Sequence, residues 1–166
     1  DADIVLAIAS RNDIAGIDRL AERSIQVAVA KQEGDSDETI DEKIQAWLLE
    51  TQPDLILLCG YLRLLPIEPW MQGRVLNIHP SLLPDFGGKG MFGLHVHEAV
   101  IESGNCQSGC TVHYVDEEYD HGPTLLQKTC PVAAEETPQT LASKVFALEC
   151  FAYPEAIKQA AKKVTV

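Results

Sequence analysis

Basic residues are scarce in this chain. Thirteen Lys and Arg stand against 25 Asp and Glu, which leaves a net charge of −12 at pH 7. A surface that grips nucleic acid needs clustered cations, and no such cluster occurs, so the expected partners are small molecules and not nucleic acid. Long apolar runs are missing as well. None approaches the roughly 20 residues of a membrane span, and the opening residues carry no signal-peptide pattern, so no membrane role is expected. There is no C-x-x-C pair. The five cysteines, at 59, 106, 110, 130 and 150, are odd in number, and Cys59 and Cys130 fall in apolar strand-like runs. Packed thiols in a reducing, cytoplasmic compartment are the simplest reading. Cys106, Cys110 and His113 have a loose zinc-like spacing, but Cys110 and His113 would lie on opposite faces of a strand and no fourth ligand is evident, so no metal is expected.

The 166 residues, 46% hydrophobic, suit a single domain spanning 1–166. Residues 3–10 and 25–30 read as strands, with a helix over 13–23 between them. Asp35 with Glu38 resembles a capping box opening a helix whose stripe is Ile40, Ile44, Trp47 and Leu48. The run 54–60 is apolar throughout, as in a strand covered on both faces. A short helix is expected over 66–72 and a strand over 74–79. This alternation predicts a parallel sheet. Beyond it lie a glycine-rich loop (85–93), a helix (94–103), two strands (110–115 and 124–132) expected to form an antiparallel hairpin, and a helix from Thr137-Pro138 to about residue 163. Pro154 is expected to kink that helix. The sheet is therefore expected to be mixed.

The segment Val75-Leu76-Asn77-Ile78-His79-Pro80 carries the chemistry. Side chains alternate along a strand, so Asn77 and His79 share a face at its end. An ordinary core strand would place two aliphatics there. An amide donor beside an imidazole, at the carboxyl end of a strand in an open α/β sheet, suits stabilisation of a developing oxyanion.

Further along, the acidic loop holds Asp116, Glu117 and Glu118, which read as solvated residues, and then Asp120. The turn His121-Gly122-Pro123 follows Asp120 at once and can direct its side chain inward. A carboxylate beside an imidazole favours the charged ring, and it can orient a water for proton transfer. The stretch Gly60-Tyr61-Leu62-Arg63-Leu64-Leu65 leaves the apolar strand where ligand crevices often form, but its leucines fit a core equally well and Arg63 fits a surface. Glu149 interrupts the apolar stripe of the last helix and, taken alone, reads as solvent-facing.

The ordered set Asn77-Ile78-His79-Pro80-Ser81-Leu82-Leu83-Pro84, Gly93-Leu94-His95-Val96-His97-Glu98-Ala99 and Asp120-x-Gly122-Pro123 closely resembles the glycinamide ribonucleotide formyltransferases. The resemblance runs from about residue 3 to about 158. It implies a Rossmann-like α/β formyltransferase fold with a mixed, mostly parallel sheet flanked by helices. It also implies a catalytic trio of Asn77, His79 and Asp120, with a protonated His79 kept charged by Asp120. The cosubstrate would be 10-formyltetrahydrofolate, with no metal. Tyr61, Leu62, Arg63, Leu64 and Leu65 match the pteridine-binding segment. The loop at 116–122 matches the folate-binding loop, which places Val115, Glu117, Asp120 and Asn77 against the folate. Glu149 matches the glutamate that contacts the glycinamide substrate, against its solvent-facing reading. The reaction implied is formyl transfer to the amine of glycinamide ribonucleotide in purine synthesis.

Family members open with a strand and a Gly/Ser/Asn-rich turn that cradles the substrate phosphate. Such a segment does not precede residue 3 here, and the first residue is Asp1 rather than Met. The chain is thus expected to be part of a longer protein, lacking the first strand–helix unit. Two strand edges are expected where that unit would pair, unless dimerisation, including a homodimer, rearranges the sheet. Methionyl-tRNA formyltransferase shares the Asn-x-His-x-Ser-Leu-Leu-Pro pattern but would need a basic surface and usually a further domain. Formyltetrahydrofolate hydrolase and a non-catalytic folate-binding module compete with it for the same residues.

Overall fold

The computed structural model describes residues 2–164. The chain divides into two compact units, Asp1–Pro53 and Asp54–Val166.

The first unit contains β1 (Ala7–Ala9), α1 (Ala15–Ala21), β2 (Val27–Val29) and α2 (Asp37–Thr51). β1 and β2 pair in parallel, with Ala7 opposite Val27. The strand expected over 3–10 is confined to three residues, and Ile4 and Val5 ahead of it are exposed. α2 buries Ile40, Ile44 and Leu48, the predicted stripe, with Trp47 half-buried. Its cap differs from the expected box. Ser36, in extended backbone, accepts from the Thr39 amide at 3.2 Å. Asp35 is committed elsewhere: it accepts from the Gln32 amide at 2.8 Å and pairs with Lys43 at 2.6 Å. An Asx side chain that closes its own turn and holds a lysine is not available to cap the following helix.

The second unit holds β3 (Ile56–Leu58), a single 3₁₀ turn at Pro69–Met71 in place of the helix expected over 66–72, β4 (Val75–His79), α3 (Leu94–Glu102), β5 (Gln107–Tyr114), β6 (Thr124–Pro131) and α4 (Pro138–Val164). Strand order is β3-β4-β5-β6. β3 and β4 run parallel, β4 and β5 antiparallel, and β5 and β6 form the expected antiparallel hairpin. β3 is not covered on both faces: Ile56 is buried but Leu57 is 39% exposed.

The core of this unit shows why β4 carries a polar face. Leu76 on β4, Cys110 and Val112 on β5, and Cys130 on β6 pack with Leu141, Val145, Ala152, Ala156 and Ala160 of α4. Those α4 residues recur at helical spacing, and the alanines let helix and sheet approach closely. Thr137 caps α4 through the Thr140 amide at 3.2 Å, with Pro138 at the first helical position, as the sequence predicts. The helix continues through Pro154. With Leu76 and Ile78 turned to this core, period-two alternation sends Asn77 and His79 to the opposite face.

Candidate active site

Cross-strand register assembles the site. In the β4–β5 ladder Asn77 lies opposite His113 and His79 opposite Thr111. All four point away from the α4 core, and His79, Thr111 and His113 are buried. Asp120 joins them from the β5–β6 loop. Its backbone is left-handed, with φ of 55°, a conformation Asp tolerates better than most residues. Gly122 makes the turn possible: a Cβ there would sit 1.9 Å from the Tyr114 carbonyl oxygen. The loop is thereby pressed onto the end of β5, and the Asp120 carboxyl turns inward, as the His121-Gly122-Pro123 turn suggested.

Asp120 meets four partners. Its Oδ2 lies 3.4 Å from Nδ1 of His79 and accepts from the Gly88 amide at 2.9 Å. Its Oδ1 accepts from Nδ2 of Asn77 at 3.4 Å and lies 3.6 Å from Nε2 of His113. The glycine-rich loop therefore contributes to the site through backbone. Its neighbour Gly87 has no room for a side chain, since a Cβ would come within 2.5 Å of Leu83 and 3.2 Å of the Asp120 Cβ.

Hydrogen-bond complementarity fixes the rings. The Tyr114 carbonyl, 2.9 Å from Nδ1 of His113, can only accept, so that nitrogen carries the proton. Nε2 of His113 then accepts from the Asn77 amide at 3.1 Å. His79 donates from Nε2 to the Phe86 carbonyl at 2.8 Å. The turn after β4 is pinned in its own right. Thr111 donates to the Ser81 carbonyl at 2.7 Å and accepts from the Leu83 amide at 3.0 Å, and Ser81 donates to the Asp85 carbonyl at 2.7 Å.

The electrostatics correct one expectation. Burial lowers the His79 pKa below the ordinary histidine range, and the opposing pull of Asp120 and the Phe86 carbonyl does not restore it. Desolvation outweighs the carboxylate here because the ring is almost wholly removed from water while Asp120 stands at 3.4 Å, beyond a short ion pair. The free site thus holds a neutral His79 at pH 7, not the charged ring expected from proximity alone. Burial also pushes the Asp120 carboxyl up, but the hydrogen bonds donated to it, that of the Gly88 amide at 2.9 Å among them, hold it below the usual carboxylate range. Asp120 is ionised at neutral pH.

The remaining sequence candidates fall around this cluster. β3 ends beside Asn77, with Leu58 in register opposite it, so the 59–65 segment leaves the sheet at the same end. Leu62 is 57% and Leu64 37% exposed, Tyr61 and Arg63 are half-buried, and Leu65 is buried in the core. Val115 is half-buried and its amide bonds the Val75 carbonyl at 2.9 Å. Glu117 is exposed on a loop that borders a cleft of about 500 Å³, walled also by Ile67, Tyr114 and Pro123. Asp116, read as a solvated residue, is partly covered and pairs with His121 at 2.8 Å. Glu149 does not face solvent freely: it is half-buried on α4, and burial pushes its carboxyl up to about 7.

A family model described as Formyl transferase matches residues 1–157. The chain belongs to the formyl transferase family. This formyl transferase chain is 41% identical over 162 residues to the chloroplastic phosphoribosylglycinamide formyltransferase of Arabidopsis thaliana, an alignment covering 95% of the chain and 55% of that protein. It is 37% identical over 163 residues to the trifunctional purine biosynthetic protein adenosine-3 of Gallus gallus, covering 95% of the chain and 16% of that protein. Among solved structures, glycinamide ribonucleotide transformylase 1 from Symbiobacterium toebii matches with a TM-score of 0.82 at 34% identity, covering 93% of this chain and 72% of that one. Phosphoribosylglycinamide formyltransferase from Brucella melitensis matches with a TM-score of 0.80 at 39% identity, covering 94% and 80%. The chain thus spans about half the length of the plant relative and a smaller share of the trifunctional one.

Within this formyl transferase, sequence reasoning missed His113 as a member of the site and weighed it only as a metal ligand. The signal was present. Thr111 and His113 are two residues apart and alternate with the apolar Cys110 and Val112, the same pattern that singled out Asn77 and His79. Gly88, which acts through its amide alone, left no side-chain signal to find.

Proposed function

We propose that the full-length protein transfers a formyl group from 10-formyltetrahydrofolate to the amine of glycinamide ribonucleotide, a step of purine synthesis, with residues 1–166 acting as one formyltransferase domain. The observation that carries this reading is the convergence of Asn77 and His79, from one strand, on Asp120 of a distant loop, each 3.4 Å from its carboxylate.

The amine attacks the formyl carbon, and the carbonyl electron pair moves onto oxygen. Asn77 donates to that oxyanion with the amide hydrogen now in its long bond to Asp120. His79 offers the Nε2 hydrogen now held by the Phe86 carbonyl. Donors aimed at developing charge in a water-poor site act mainly on the transition state. Negative charge forming beside His79 raises its affinity for a proton, so Nδ1 of the ring, neutral at rest, takes a proton from solvent as the oxyanion forms and returns it when the carbonyl re-forms. Ionised Asp120 steadies that charge. Through a water, it also passes the proton from the attacking amine to N10, and the C–N10 bond then breaks. Asp120 is suited to this because its carboxyl is ionised and fixed by Gly88.

The folate lies against Tyr61, Leu62, Arg63 and Leu64, over the buried Leu65, and against Val115 and Glu117 of the cleft-bordering loop. Glu149 holds the glycinamide amine. The chemistry calls on no metal. The five free cysteines fit a reducing compartment, and the cytoplasm is the one proposed.

Asp120→Asn tests the reading. The substitution keeps size and removes the charge. Formyl transfer is expected to fall on the order of 100-fold, with the folate Kd within about twofold, measured by steady-state kinetics and fluorescence titration. Wild-type turnover in this variant would remove Asp120 from the chemistry.

A further inference from the structure

One hydroxyl ties together the parts of the site that lie far apart in sequence. Tyr153, on α4, places Oη 3.0 Å from the Leu58 carbonyl oxygen and 2.9 Å from that of Leu76. The Leu76 carbonyl belongs to the peptide that continues into Asn77. The Leu58 carbonyl ends β3, in register with Asn77, where the 59–65 segment departs. Four residues before Tyr153, on the same face of α4, stands Glu149. Burial pushes the Cys59 and Cys110 thiols up, and the Glu149 carboxylate adds to both shifts.

We propose that Tyr153 is a positioning residue: its shared hydrogen bond to the Leu58 and Leu76 carbonyls sets the Glu149 carboxyl in register with the Asn77 amide. This rests on the proposed function for what Glu149 holds. α4 needs such an anchor at this point. Pro154 has no N–H to give the Cys150 carbonyl, so the helix ladder is interrupted beside Glu149 and its own backbone fixes the local register less firmly. The phenol suits the task. It is half-buried, burial raises its pKa, and it therefore stays a donor at every working pH. A single proton shared between two carbonyls also resists sliding along either strand, because movement toward one lengthens the other bond.

Tyr153→Phe in the full-length protein removes the oxygen and keeps the ring. Two readouts decide. In the first, the Glu149 carboxyl is titrated by carbon-detected NMR. With the helix loosened and water admitted, its midpoint is expected to move from about 7 toward 4.5. In the second, the KM for glycinamide ribonucleotide is expected to rise on the order of tenfold, with kcat changed less, since displaced binding groups weaken the productive complex. In a Glu149→Gln background the same substitution is expected to add nothing to KM. An unchanged Glu149 midpoint, an equal KM effect in both backgrounds, or a variant that does not fold at 25 °C would each overturn the proposal, because the hydroxyl would then serve the fold alone. If the wild-type protein does not formylate this substrate, the proposed function has failed, and the titration alone decides the anchor.

Discussion

At the scale of single residues, burial governs His79 and Glu149 more than pairing does, while partners govern Asp120. His79 and Glu149 both shift toward their neutral forms for that reason. For Glu149 the consequence for stability has a definite sign. In the unfolded chain its carboxyl ionises near the ordinary 4.5, and in the folded protein near 7. The folded state therefore binds the extra proton between those values, and stability is lost as pH rises from 4.5 to 7. Glu149→Gln is expected to raise Tm at pH 8 and leave it unchanged at pH 4. Calorimetry at the two pH values checks this, and equal Tm values at pH 8 would show that the carboxyl is hydrated. Legibility was uneven at this scale. Asn77 and His79 could be found because two polar side chains on one face of an apolar strand are hard to explain by packing. Glu149 could not be placed from its helix alone. A polar interruption in an amphipathic stripe looks the same whether it meets water or is half-covered by the protein, and only the family resemblance set it apart from a solvent-facing residue.

At the scale of elements, two segments without regular structure finish what the strands begin. The β5–β6 loop delivers Asp120, and the glycine-rich loop after β4 supplies the Gly88 amide that holds it. Gly122 is the hinge of this arrangement, since a Cβ would run into the Tyr114 carbonyl. Gly122→Ala is expected to displace Asp120 and lower kcat by at least about 10-fold, with Tm falling as well because this buried glycine has no room for a Cβ. Kinetics and a thermal melt on the same preparation separate the two effects, and full activity would mean that the loop can reach its place by another path. Element types were largely legible because the period of the apolar pattern changes from strand to helix along the chain. Ends and covering were less so. The strand read over 3–10 keeps only Ala7–Ala9, and β3 leaves Leu57 exposed despite an unbroken apolar run. Apolar runs record what a strand can bury and not which neighbours it has. The cap of α2 moved from Asp35 to Ser36 because Lys43, eight residues away, competes for the carboxylate.

At the scale of the whole molecule, charge favours the small acceptor proposed above over a nucleic acid. A net −12 over 166 residues opposes a tRNA backbone at long range, while a small anionic nucleotide can be held by a few local donors. Composition alone carries that expectation, since it depends on no fold. The family resemblance was legible too, because it rests on ordered motifs spread through the chain, and the match over residues 1–157 bears it out. The chain spans 55% of the Arabidopsis relative, so the assay belongs to the full-length protein. The most direct measurement gives that protein 10-formyltetrahydrofolate carrying a labelled formyl group, with glycinamide ribonucleotide and methionyl-tRNA in competition. Label is expected in formylglycinamide ribonucleotide and absent from the tRNA. Label on methionyl-tRNA, or released as formate with neither acceptor modified, would contradict the account.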